Sequence, residues 1–285
     1  MKSISVINFK GGVGKTTITY LIGNYLASKE KKVLLCDIDP QMSLTQIFAF
    51  QKKYQQNFLH IINNSDITTS TTKNSISNLA QLLQYYIRNE KTFPIKVNNK
   101  AFIGLEEHLS IIPSSNDLYG VEFATKYDDV TKSFFQELIP KIPKKYKSNY
   151  ILFDCPPNFT PFTYSALYTS DVFIIPVQPD LFGPRAFTAI YNFIEFNSNL
   201  NRNKKTKYLI LFNKVRTTYL KKTTDECTNA IINVKERADQ KPNVKILTTR
   251  LFDRAYFRKA LQTPSLSNEV INDLRPLWDE IEKEL

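Results

Sequence analysis

The stretch from Ile4 to Ala27 limits the possible folds of this chain more than any other. Ile4-Ser5-Val6-Ile7-Asn8-Phe9 is a short apolar run rich in β-branched residues, so it reads as a strand. It stops at Lys10-Gly11-Gly12-Val13-Gly14-Lys15-Thr16-Thr17, and the chain continues from Ile18 to Ala27 in a segment that reads as a helix. Strand, glycine loop and helix start, in that order, make an anion cradle. Without a Cβ in the way, backbone N–H groups can converge on a phosphate. The helix start adds unpaired N–H groups and the positive end of its dipole. Lys15 is placed to neutralise outer phosphates, and the Thr16 hydroxyl to ligate Mg²⁺. Gly11, Gly12, Val13, Gly14, Lys15, Thr16 and Thr17 thus form a candidate nucleoside triphosphate site.

Two acidic strand ends belong with that loop. Val33-Leu34-Leu35-Cys36 reads as a strand buried on both faces and runs into Asp37-Ile38-Asp39-Pro40-Gln41. Tyr150-Ile151-Leu152-Phe153 runs into Asp154-Cys155-Pro156-Pro157. In an open α/β sheet, ligands bind at the carboxyl ends of the strands, and a carboxylate there can reach Mg²⁺ or its water.

Further strands are expected at Leu109–Ile112, Val172–Val177, Tyr208–Phe212 and Val244–Thr248. Helices are expected over Phe134–Ile139, from about Pro184, and over Leu220–Ala238. Two more close the chain, the last with Leu274, Leu277, Trp278, Ile281 and Leu285 on one face. Residues 48–100 are the least legible: 63–77 read as a polar loop, and Leu79, Leu82, Leu83 and Tyr86 as a short amphipathic helix. Strands alternating with helices imply an α/β fold, a mostly parallel twisted sheet with helices on both faces, in one domain over residues 1–285.

A formal charge of +11 suggests an anionic partner, nucleic acid or a membrane surface. Cys36, Cys155 and Cys227 are far apart, which argues against a disulfide framework or zinc site and fits a reducing cytoplasm. His60 and His108 have no ligand partners nearby in sequence and read as structural. No signal peptide precedes the first strand, and no apolar run is long enough to span a membrane, so no stable membrane insertion is expected.

The usual P-loop has glycine where this chain has Phe9, and Lys10 adds a second lysine before the glycine pair. In that form Lys10–Thr17 resembles the deviant Walker A motif of the ParA/MinD family of ATPases. Asp37–Gln41, Ile112-Pro113-Ser114-Ser115 and Asp154–Pro157 are similar to segments of the ParA branch. The resemblance covers nearly all of the chain outside 48–100. It implies ATP and Mg²⁺ as cofactors, with Thr16 and Asp154 at the metal and Asp37 supporting its shell. It further implies Asn213 as an adenine-reading amide, Asp39 orienting the attacking water, and Lys10 reaching across an ATP-state homodimer to the partner's ATP. Turnover is expected to be slow. The implied role is a nucleoid-associated partition ATPase for plasmid or chromosomal DNA, binding duplex DNA without sequence preference, with hydrolysis stimulated by a ParB-like partner.

Arg250, Arg254 and Arg258 recur at i, i+4 steps and, with Lys259, would line one helix face as the DNA contact. Arg202–Lys207 and Lys221-Lys222 are secondary basic candidates. The alternatives are a MinD-like membrane ATPase, a ParA-type ATPase positioning a protein cargo on the nucleoid, a metal-cluster reductase or carrier, and a binding module without hydrolysis. The mostly acidic polar face of the last helix opposes the membrane reading. The lack of a good cysteine pair opposes the metal-cluster reading, and the presence of Asp39 and Lys10 opposes the last.

Overall fold

The apolar runs become strands β1 Lys2–Val6, β2 Val33–Asp37, β3 Ile103–Glu106, β4 Leu109–Ile112, β5 Tyr150–Asp154, β6 Val172–Val177, β7 Lys207–Phe212 and β8 Val244–Ile246. In this computed structural model, which describes residues 1–62, 76–88, 93, 97, 99–124, 133–196, 206–215, 225–241 and 243–285, they form one sheet. Its order is β3-β4-β2-β5-β1-β6-β7-β8. Every pairing is parallel except β3 with β4. Parallel register brings the end of β1 beside the ends of β2 and β5, with Val6 opposite Asp154 and Asp154 opposite Asp37. The glycine loop and the acidic strand ends therefore meet at one edge.

The helices are α1 Lys15–Ser28, α2 Ser43–Phe50, α3 Gln55–Ile62, α4 Leu79–Arg88, α5 Asp117–Ala124, α6 Phe134–Lys141, α7 Pro161–Thr169, α8 Gly183–Phe196, α9 Asp225–Asp239, α10 Ala255–Ala260 and α11 Asn268–Glu282. Alternation along each strand feeds two apolar layers. Leu34 and Cys36 of β2 face a core built with Leu83 (α4), Phe134 (α6), Phe162 (α7), Ile190 (α8) and Val234 (α9). Val33 and Leu35 face the other core, with Leu21 (α1), Phe48 (α2), Phe58 (α3), Phe257 (α10) and Leu277 (α11). A strand flanked by apolar layers on both sides must be apolar at every position, which is why β2, β5 and β6 read as unbroken runs. Pro176 is accommodated in β6 because the pairing with β1 ends at Ile174.

The acidic last helix docks as its apolar stripe requires. Leu274, Leu277, Trp278 and Ile281 are buried, and Trp278 meets the Tyr150 ring edge-on at 5.1 Å. Its acids secure it: Glu280 accepts from Thr248 N (2.7 Å) and Thr249 N (2.8 Å), and Glu284 pairs with Lys207 and Lys245, both at 2.6 Å. No helix among the described residues is long and apolar enough to cross a membrane.

Three expectations change. Residues 48–100 hold more than a loop and one helix, because α3 precedes the expected α4. The strand after β7 is shorter than Val244–Thr248. The arginine stripe is not a helix face. Leu251 N and Asp253 N donate to Phe212 O and Val215 O, both at 3.0 Å, so this segment runs extended beside the end of β7. The helix begins only at Ala255, leaving Arg250 and Arg254 outside it and Arg258 and Lys259 inside. The expected helix start at 220–224, Lys221-Lys222, most of the 63–77 loop and residues 202–205 of the other basic run lie outside the described residues.

Candidate functional site

The loop between β1 and α1 is held by polar anchors on three sides. Asn8, fully buried, donates from Nδ2 to Pro176 O (2.7 Å) and accepts the Lys10 N–H at Oδ1 (2.8 Å), which starts the turn. Asn213 Nδ2 donates to Val13 O (2.7 Å) and Lys214 Nζ to Gly12 O (2.6 Å). Gly12 (φ +74°) and Gly14 (φ +96°) occupy the left-handed region that a side chain opposes. At Gly14 space also forbids one, since a Cβ would lie 2.4 Å from Asn213 Nδ2. Gly14 is the N-cap of α1, with no side-chain cap and no acid in the first turn. The first amides of that helix are thus left for a ligand.

Lys15, Thr16, Thr17, Gly11, Gly12, Gly14 and Asp39 line one cavity of about 720 Å³, closed on the far side by α2. Lys15 is 7% exposed, and its closest polar partner is the Lys10 carbonyl at 3.4 Å. Burial lowers its pKa, against the pull of Asp154, Cys155 and Asp39. Asp39 accepts the Gln41 N–H at 2.9 Å; burial raises its pKa, opposed by that N–H and by Lys15.

Asp154 and Asp37 lie beneath the cavity wall and are fully buried. Asp154 Oδ2 has no hydrogen-bond partner, while Oδ1 is 3.5 Å from the Thr19 hydroxyl. Burial pushes Asp154 well above the carboxylate range; the Asp37 charge adds to this, and the Thr16 hydroxyl opposes it. An orphaned carboxylate oxygen beside a threonine hydroxyl is a hard donor set that fits Mg²⁺. Asp37 differs. Its Oδ2 accepts Thr45 N (2.8 Å) and Thr45 Oγ1 (2.6 Å), and its Oδ1 accepts Asp39 N (3.2 Å). It caps α2 from below and holds Asp39 in place, with burial pushing it up to about 7.

A second cavity, about 210 Å³, adjoins the loop and is lined by Asn213, Leu251, Phe252, Arg254, Phe257 and Arg258, among others. The structure therefore brings Asn213 together with two of the basic residues. Arg254 lies 5.5 Å from the Phe252 ring centroid, and Arg258 pairs with Asp253 at 3.0 Å. Arg254, Arg258 and Lys259 are exposed and Arg250 is half-buried. Lys10 does not point into the first cavity. Its ammonium pairs with Asp180 in the loop before α8 and sits 5.7 Å from the Phe182 ring centroid. Sequence reasoning missed Asn8, Asp180, Lys214 and Thr45, none of which belongs to a spaced motif. The only available signal was Asp180 at the start of a predicted helix, a capping position.

A family model described as an AAA domain (AAA_31) matches residues 1–207. Among curated proteins, the chain is 26% identical over 193 residues to the sporulation initiation inhibitor protein Soj of Bacillus subtilis, spanning 67% of this chain and 64% of that protein. It is 23% identical over 197 residues to the chromosome partitioning protein ParA of Caulobacter vibrioides, spanning 68% and 62%. The match thus spans somewhat less than two thirds of either relative's length. Among solved structures, an ATP complex of a McdA variant from Cyanothece superposes with a TM-score of 0.73 at 18% identity, covering 100% of this chain and 96% of that one. A plasmid partition protein from Borrelia burgdorferi bound to AMPPNP gives 0.69 at 20% identity, covering 100% and 99%. At those identities the likeness is one of fold.

Proposed function

The chain belongs to the ParA-type partition ATPases of the deviant Walker A P-loop class, and from that premise we propose that it works as an ATP-switched DNA-binding dimer. In this reading ATP and Mg²⁺ bind the loop, two copies associate, the dimer binds duplex DNA without sequence preference, and a ParB-like partner stimulates slow hydrolysis that releases it. The cargo is plasmid or chromosomal DNA.

One observation carries the reading: the buried ammonium of Lys15 sits in a glycine loop beside the uncapped α1 start, with no carboxylate in ion-pair contact among the described residues. A buried cation at a helix N-terminus is stabilised by an anion, and a phosphate chain supplies several. Thr16 and Asp154 Oδ2 would hold Mg²⁺, which when bound neutralises charge on the phosphate oxygens. Asp39, fixed by Gln41 N and by the Asp37 link, is the group that orients water. Asn213 sits where the second cavity could take the base. Lys10 lies at the open rim, from which it could reach a facing copy. The burial of the α11 apolar stripe supports DNA over lipid as the anionic surface.

DNA contact is assigned to the rim made by Arg250, Arg254, Arg258 and Lys259, beside the nucleotide. The test is duplex affinity with ATP against ADP, for the wild type and Arg254→Glu. ATP should strengthen wild-type binding, and Arg254→Glu should weaken it equally on every sequence, lowering the salt slope by about 1 while dimerisation survives. A variant that dimerises and keeps the wild-type slope would remove the arginine rim from the reading. A wild type whose DNA affinity ignores ATP would remove the switch.

A further inference from the structure

Two lysine-rich turns remain outside the site. Lys29-Glu30-Lys31-Lys32 links α1 to β2, and Lys144-Lys145-Tyr146-Lys147 precedes β5, more than a hundred residues later. The sheet joins them. β2 and β5 are adjacent, with Val33 opposite Tyr150. Asn149 fastens the turns directly: its N–H donates to Lys32 O (2.7 Å), and its Oδ1 accepts the Lys32 N–H (2.8 Å). Both turns lie at the amino ends of the strands. The nucleotide loop lies at the carboxyl ends, one strand length or about 15 Å away.

All six lysines (Lys29, Lys31, Lys32, Lys144, Lys145 and Lys147) are exposed. None takes part in an ion pair among the described residues. Lys29 and Lys145 only overlie the neighbouring Tyr25 and Tyr146 rings, at 5.7 and 5.4 Å. Within the two turns, the one carboxylate is Glu30. On one flank the edge is bounded by α11, where Glu282 accepts the Tyr150 hydroxyl at 3.2 Å and where Asp279, Arg275 and Glu282 all bear on Tyr25. By contrast, Lys207 and Lys245 both pair with Glu284. This edge keeps its charge.

We propose that the amino edge of the sheet, formed by the turns at 29–32 and 144–147, is a second contact surface for the duplex DNA backbone, open to the single protomer without ATP. The inference rests on the DNA reading above and adds a term to it that does not depend on the nucleotide. Lysines are hydrated point charges on flexible stems, which suits phosphates at any register and carries no sequence preference. Duplex DNA fits better than a lipid surface because neither turn exposes a large apolar side chain: Ile142 and Tyr146 beside the lysines are both buried. A peripheral membrane patch needs such an anchor beside its charges. The edge also faces away from the nucleotide rim, so it stays free when copies meet across that rim.

The test is the affinity of nucleotide-free protein for a fluorescent random-sequence duplex, measured by anisotropy against salt, beside the four-fold variant Lys31→Ala, Lys32→Ala, Lys144→Ala and Lys145→Ala. Four phosphate contacts give a log–log slope of about −3.6, so doubling the salt should weaken wild-type binding about 12-fold. The variant should lose at least about tenfold at low salt and most of that slope, while the same four positions changed to Arg keep both. ATP-dependent dimerisation of the alanine variant, read by sizing, shows that it is folded. Absence of nucleotide-free binding by the wild type, or an unchanged slope in the folded variant, overturns the proposal. So does binding to phosphatidylglycerol vesicles with no binding to duplex. If nucleotide-free binding behaves as stated but ATP adds nothing, the ATP-switch reading fails and this surface stands.

Discussion

Lys10 is held within its own chain by Asp180, so weakening that hold should make ATP-driven assembly easier. Asp180→Asn is the informative change, because Asp180 has two jobs. Its Oδ1 accepts Phe182 N and Gly183 N, both at 3.0 Å, capping the start of α8, and its Oδ2 pairs with Lys10. Alanine would remove both and cost about 1 kcal/mol of helix capping. Asparagine keeps an acceptor for the amides and removes the charge. The side chains of the pair are 27% and 39% exposed, so the ion pair is worth about 0.5–1 kcal/mol after solvent screening. If Lys10 must leave Asp180 to reach a facing copy, the released population rises about two- to fivefold for each protomer. Dimer dissociation in ATP and Mg²⁺ should tighten correspondingly at low salt. The difference should shrink at about 1 M salt, where charges are screened over about 3 Å. Sedimentation at graded protein concentration reads both. A weaker dimer in Asp180→Asn would mean that Asp180 supports the assembled state, and a salt-independent change would mean that charge is not the cause.

Asp39→Ala should bind ATP and dimerise but fail to release phosphate, since the carboxylate fixed by Gln41 N is the one assigned to water; a monomeric or normally hydrolysing variant refutes the assignment. Asp37 gives a pH prediction. Its folded value of about 7 lies above its unfolded value of about 3.9, so the native chain keeps a proton that the unfolded chain has lost. Its contribution is full below about pH 4 and is lost as pH rises through about 7. In metal-free buffer Asp37→Asn should flatten that loss, read as the Tm difference between pH 5 and pH 8; an unchanged profile would assign it to another group.

The loop, the acidic strand ends and most strands were legible because each depends on local chemistry: glycine at positive φ, a carboxylate closing an apolar run, apolar residues throughout a strand covered on both faces. The arginine segment was misread for a non-local reason. Arg250, Arg254 and Arg258 have helical spacing, but the backbone around Leu251 and Asp253 finds its partners at Phe212 and Val215, and those bonds hold it extended. No periodicity within the segment reports that. β3 escaped notice because it is short, antiparallel and alternates buried with exposed residues at the sheet edge. Asn8 and Asp180 escaped because their roles come from which backbone groups the fold sets before them. The two lysine-rich turns lie more than a hundred residues apart in the sequence and become one surface only through the pairing of β2 with β5.

The charges around the loop explain why nucleotide and metal should bind as a pair. Lys15, Asp39 and Asp154 share one buried region in which desolvation disfavours every charge: the lysine is pushed down and both acids are pushed up. A phosphate beside Lys15 favours its ammonium but repels Asp39 and Asp154. A divalent cation held by Thr16 and Asp154 would favour the Asp154 carboxylate and would repel Lys15. Each alone would relieve one strain and worsen another, whereas together they would offset each other and favour the charged form of all three groups. By linkage, joint binding takes up a proton at Lys15 where it was neutral and releases one at Asp154 where it was protonated. The Asp37–Thr45 bonds would link the same event to α2, because Asp154 lies beside Asp37, whose oxygens hold the start of that helix. The start of α2 is thus expected to respond to whether the site is filled.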